Sequence, residues 1–197
     1  ENEKREESKV ETDKKEAPKV EKTANSNDSA NTATVTTEKT QTPTPRQNTS
    51  SGAIVFSKLM IPVVGVKPEN LRDTFNDSRS DNRVHDAIDI MAEKNAVVIA
   101  AADGEIARFF DSERGGITIY QYSADKKLIY YYAHLDRRAE NIKEGDFIKQ
   151  GTTIGYVGDT GNSGAGNYHL HFAIWTIDDP KRFYDGTNIN PYPLLSK

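Results

Sequence analysis

Four histidines stand in the 197 residues, at positions 85, 134, 169 and 171, and no cysteine accompanies them. Thiolate metal sites and disulfides are therefore excluded, and imidazoles and carboxylates are the donors left for a metal ion. His169-Leu170-His171 is the tightest grouping. Side chains alternate faces along a strand, so the two imidazoles share one face while Leu170 and Phe172 share the other. Such a pair suits a metal ion or proton transfer. In Val84-His85-Asp86-Ala87-Ile88-Asp89-Ile90, the apolar Val84, Ile88 and Ile90 take one parity and His85, Ala87 and Asp89 the other. A straight strand would hold His85 and Asp89 about 13 Å apart, whereas ligands of one zinc ion lie about 2.0–2.2 Å from it. The backbone is expected to bend between them, with the small Ala87 leaving room. His134 ends an apolar stripe of Leu128, Tyr130 and Tyr132.

Taken singly, each grouping has an ordinary reading as packed or solvated surface. Taken together, every histidine falls into one site. Zinc hydrolysis needs three protein ligands, an open coordination position and groups that handle protons. Two histidines and one aspartate can be ligands, which leaves two histidines for protons.

The elements that must position these side chains read as short strands. Ala96–Ala101 is a continuous apolar run closed by Asp103-Gly104, and Glu105–Phe110 follows as its expected hairpin partner. Ile117–Tyr122, Leu128–His134, Asp146–Ile148, Thr153–Val157 and His169–Trp175 are β-branched or aromatic runs, with Gly or Asp in the gaps. No helical stripe longer than two turns occurs. The expected fold is mostly β and antiparallel, a sandwich or open barrel.

Composition divides the chain. Residues 1–52 carry no aromatic side chain and almost no branched aliphatic one, with charges of both signs closely mixed. Such a stretch cannot offset a backbone ordering entropy of about 1–2 kcal/mol per residue, so a disordered polar tether is expected. All seven Phe, all nine Tyr and the single Trp175 fall in residues 53–197, enough for one folded domain. A net charge of −4 argues against nucleic acid as a partner. No apolar run is long enough to span a membrane. The chain opens on Glu1 rather than Met, as expected of a processed or trimmed form.

At these motifs the sequence resembles the lysostaphin-type (LytM-like) zinc endopeptidases, which carry His-x-x-x-Asp, a His at the end of a Tyr-rich strand, and a closing His-x-His, in that order. Lys143–Gly155 is similar to the family's Gly-Asp-x-Val-x-x-Gly-x-x-Ile-Gly stretch, and Gly158–Gly164 to the loop before its last motif. The resemblance covers about residues 60–192. It implies that His85, Asp89 and His171 hold one Zn2+, and that His134 and His169 are the unligated catalytic pair. It further implies peptidoglycan peptides as substrate and an extracytoplasmic site of action; the sequence leaves the oligomeric state open, with a monomer expected. Two departures stand out: Ala87 replaces a frequent Gly, and Ala165-Gly166-Asn167-Tyr168 replaces a stretch where Pro is common. Leu71–Asn82 and Gly158–Tyr168 are the expected groove walls. Two rivals predict different residues: a non-catalytic module that binds or activates another hydrolase should lack ligands, and a structural metal site should close a fourth ligand without spare histidines.

Overall fold

The structure, a computed structural model, describes residues 58–79 and 82–197. The tether expected over residues 1–52 lies outside the described residues. Nine strands follow in order: β1 (Ile88–Met91), β2 (Val97–Ile99), β3 (Gly104–Ser112), β4 (Gly116–Ser123), β5 (Leu128–Arg138), β6 (Phe147–Ile148), β7 (Thr153–Val157), β8 (His169–Thr176) and β9 (Asn188–Ile189). Among the described residues, helix is confined to short turns and the four-residue α1 (Tyr192–Leu195). No helix among the described residues is long and apolar enough to cross a membrane.

All strand pairings are antiparallel, in the order β1-β8-β5-β4-β3-β6. β1 and β9 share the edge of β8 opposite β5, and β7 joins β2 to the far end of β5. The mostly-β antiparallel fold is thus present as one sheet that does not close.

The strands are aromatic and β-branched because both faces of the sheet are covered. One face presents Ile88, Ile90, Ile119, Tyr132, Leu170, Phe172 and Ile174 to the main core, all nearly inaccessible to water. Each such side chain contributes about 1.5–3 kcal/mol by burial. The opposite parity gives a smaller cluster of Tyr120, Ile129 and Ile177, flanked by Tyr131, Trp175 and Phe183. His169 and His171 belong to this second face.

Two expectations need correction. β2 does not pair with β3; its partner is β7, and β3 pairs with β4 and β6. The small residues Ala100, Ala101 and Ala102 let the chain run buried where a hairpin turn was expected. Their polar groups are met by side chains: the Ala101 N–H donates to Tyr132 Oη, and the Ala102 carbonyl accepts from Gln121 Nε2. Gly104 follows because the backbone of β4 is too close for any side chain; an added Cβ would lie 1.9 Å from the Tyr122 carbonyl oxygen. Nor does Val84 share the buried face of Ile88 and Ile90. It is exposed, because the chain turns at Asp86, whose φ is +56°.

Candidate active site

β8 and β1 set the first part of the site. Asp89 lies directly opposite His171, and Met91 opposite His169. Ala133 of β5 lies on the other side of His171. The bend at Asp86 carries His85 back over the start of β1, so residues four apart meet. Nε2 of His85 lies 3.0 Å from Nδ1 of His171 and 3.0 Å from Oδ1 of Asp89. Oδ1 of Asp89 lies 3.1 Å from Nδ1 of His171.

His134 arrives by a different device. By parity it continues the core stripe of Leu128, Tyr130 and Tyr132. Its φ is +60°, however, and the register opposite β4 slips by one residue, from Ile119↔Tyr132 to Ile117↔Leu135. This bulge turns the imidazole to the other face. Its backbone is pinned on both sides: the His134 N–H donates to Gly115 O, and its carbonyl accepts from Gly158 N–H at 3.0 Å. Gly158 must be glycine for that approach, since a Cβ there would lie 2.3 Å from the Asp136 nitrogen. The ring centroid of His134 then stands 4.9 Å from that of His169 and 5.6 Å from that of His171.

Backbone carbonyls fix three of the four imidazoles. Nδ1 of His85 donates to Thr74 O at 2.9 Å, Nδ1 of His134 to Thr160 O at 2.8 Å, and Nδ1 of His169 to Asn167 O at 2.8 Å. A carbonyl only accepts, so in the neutral rings each proton sits on Nδ1 and each Nε2 carries its lone pair. His85 Nε2, His171 Nδ1 and Asp89 Oδ1 form a triangle whose corners are mainly acceptors, and it cannot hold a proton along each edge. A cation relieves that crowding. Tetrahedral ligands at about 2.0–2.2 Å would lie about 3.3–3.6 Å apart, so the triangle needs to open by only a few tenths of an ångström. These three residues can hold a metal ion. The other oxygen of the carboxylate, Asp89 Oδ2, is held by Arg79 Nη2 at 2.5 Å, which leaves Oδ1 as the single donor.

The electrostatics favour neutral rings around an ionised carboxylate. Burial opposes ionisation of Asp89, yet hydrogen bonds and charge from His171 and His85 hold its carboxyl well below the usual range. Burial pushes His134 down to about 4, only partly offset by the Thr160 carbonyl, and it also lowers His171. The site opens into a cavity of about 270 Å³ lined also by Arg79, Arg83, Asn162, Ser163 and Asn167.

All five residues singled out in the sequence are brought together here. His169 stands a little outside the triangle, its Nε2 3.7 Å from Asp89 Oδ1. Sequence reasoning missed the orienting partners Thr74, Thr160 and Arg79. Thr74 acts twice, since its Oγ1 also accepts the Asp89 N–H. No spacing rule marks a residue that acts through its backbone carbonyl.

Comparison with known proteins places the sequence and the fold. The family model described as Peptidase family M23 matches residues 83–191. An L-Ala–D-Glu endopeptidase of Bacillus subtilis is 28% identical over 131 residues, 63% of this chain and 39% of that protein. The glycyl-glycine endopeptidase ALE-1 of Staphylococcus capitis is 33% identical over 112 residues, 56% of this chain and 29% of that protein. The chain thus spans well under half the length of these relatives. Among solved structures, the catalytic domain of the antimicrobial peptidase lysostaphin from Staphylococcus simulans superposes with a TM-score of 0.55 at 25% identity. That match covers 66% of this chain and 96% of the other.

Proposed function

We propose that this chain, which belongs to the lysostaphin- and LytM-like peptidase family M23, is an active zinc-dependent endopeptidase that hydrolyses peptide bonds of bacterial peptidoglycan. The observation that carries this reading is the triangle of His85 Nε2, Asp89 Oδ1 and His171 Nδ1, with edges of 3.0, 3.0 and 3.1 Å. Residues 53–197 form the proposed catalytic unit, working outside the cytoplasm where the polymer lies.

His85, Asp89 and His171 would hold the ion, with Arg79 keeping the carboxylate on one oxygen. When bound, zinc lowers the pKa of its water toward about 7 and polarises the scissile carbonyl. The remaining chemistry belongs to His134 and His169. Both rings commit Nδ1 to a carbonyl and so present Nε2 to the cleft. At neutral pH His134 begins unprotonated, so it can accept a proton. One ring would take the proton of the attacking water at Nε2, and the other, once protonated at its own Nε2, would donate to the leaving amine or the developing oxyanion. Two side chains beyond the ion's ligands stand ready for proton transfer, which favours catalysis over a structural metal. The complete ligand set disfavours a non-catalytic module.

Substitution tests this. His85→Ala and Asp89→Ala are expected to lose both bound zinc and hydrolysis of isolated sacculi. His169→Ala should lose hydrolysis while keeping zinc, read by elemental mass spectrometry. Purified protein that carries no zinc, and cleaves nothing when zinc is added, would overturn the reading.

A further inference from the structure

The second face of the sheet does not end at the metal-binding cluster. A second groove, of about 350 Å³, shares His85 and His171 with the first cavity. Its floor follows from strand register. Ala173 lies opposite Tyr131, and Tyr131 opposite Tyr120, in one row across β8, β5 and β4. Trp175, two residues beyond Ala173, lies opposite Asn188 of β9. Tyr131 links this floor to the reactive centre: its ring centroid is 6.0 Å from that of His171, 5.9 Å from Trp175 and 4.7 Å from Tyr120.

The far wall comes from the loop after β8. Trp175 Nε1 donates to the Phe183 carbonyl at 2.7 Å, which anchors the loop. Phe183 stacks on Tyr184 at 4.0 Å, and Tyr184 meets Tyr120 edge-on at 5.6 Å. Arg108 donates to the Tyr184 hydroxyl at 3.1 Å, so the ring is braced although it is 52% exposed. Small residues, Ala173 and Gly186, keep the groove open between the rings.

The two arms of the cleft therefore differ in chemistry. On one side Arg83 lines the cavity together with Arg79, whose guanidinium is paired with Asp89. On the other, among the described residues, no lysine or arginine lines the groove, and Asp86 is its one carboxylate. Peptidoglycan has two matching parts. Its stem peptides carry small side chains and free carboxylates, which suit the arginine arm. Its glycan consists of N-acetylated sugars with flat C–H faces and uncharged amides and hydroxyls. Such C–H faces lie well on the electron-rich face of an aromatic ring, and an amide such as that of Asn188 can serve their polar edge. We propose that this aromatic groove is a sugar-binding subsite that holds the N-acetylated glycan next to the stem peptide being cut. The inference rests on the proposed endopeptidase reading for its substrate class, and its binding step requires no catalysis.

Trp175, the only tryptophan, sits in the groove and reports on it by fluorescence. The full chain is titrated with β-1,4-linked N-acetylglucosamine tetramer and, separately, with a glycan-free stem peptide. Saturable quenching or shift with the tetramer is expected, weakened about 3- to 10-fold in Tyr184→Ala and retained in Tyr184→Phe, which keeps the ring. In hydrolysis, the wild-type protein should prefer a cross-linked muropeptide bearing its disaccharide over the same peptide without it. Tyr184→Ala should reduce that kcat/KM ratio towards one. A wild-type protein that cleaves but does not bind the tetramer, or a Tyr184→Ala variant whose ratio is unchanged, overturns the subsite while leaving the endopeptidase reading standing. Tetramer binding without cleavage of either substrate does the reverse.

Discussion

Replacing His134 by Asn should separate this ring's titration from its structural role. Asn tolerates the +60° φ better than most residues, and its amide can donate to the Thr160 carbonyl in place of Nδ1–H. The fold should therefore survive at pH 7. In the native protein, burial moves the ring from an ordinary 6.5 down to about 4. The folded pKa is depressed, so the unfolded chain takes up the proton first. Stability is full above about 6.5 and falls as the pH drops towards 4. At about 1.36 kcal/mol per pH unit the limiting loss is about 3.4 kcal/mol, and water at the cleft mouth reduces it to about 2 kcal/mol. Urea unfolding of both proteins at pH 7 and pH 4.5, in EDTA so that zinc–proton competition does not enter, measures this. The native protein should lose about 1–2 kcal/mol more than His134→Asn over that interval. Parallel losses in the two proteins would refute the assignment of a buried, neutral His134. At neutral pH the variant should also be inactive, having lost one of the two proton-handling rings.

Two further outcomes follow from the same geometry. Arg79→Gln frees Asp89 Oδ2 and should weaken zinc binding by about 10- to 100-fold, measured against a competing chelator, with partial recovery in Arg79→Lys. Gly158→Ala forces a Cβ to within 2.3 Å of the Asp136 nitrogen and should cost about 3 kcal/mol or more. Its thermal midpoint should fall by roughly 6–12 °C, and residual folded protein should bind zinc but cleave poorly as the bulge at His134 relaxes.

The parts of the site that obey strand periodicity were legible in the sequence. His169 and His171 share a face as alternation requires, and the bend expected between His85 and Asp89 exists, at Asp86. His134 was legible only as a residue type. Alternation alone assigns it to the buried stripe, and the left-handed backbone that reverses it depends on Gly115 and Gly158, distant contacts that no local pattern announces. The β2 pairing was hidden for a similar reason: Ala100–Ala102 stay buried because Tyr132 and Gln121 meet their backbone groups from far along the chain. The aromatic groove went unrecognised because Tyr120, Tyr131 and Trp175 read as ordinary strand residues. Phe183-Tyr184, two adjacent rings in an otherwise polar loop, was the one available hint.

β8 gives the chain an unusual safeguard. Its odd-numbered positions carry the imidazoles, and its even-numbered positions, Leu170, Phe172 and Ile174, are the oily filling of the interior. A slip of a single residue against β5 would drive two imidazoles into oil and strand three greasy side chains in water. A misaligned molecule would thereby lose its imidazole cluster and its stability together, so an error in threading this strand would not persist as a folded protein.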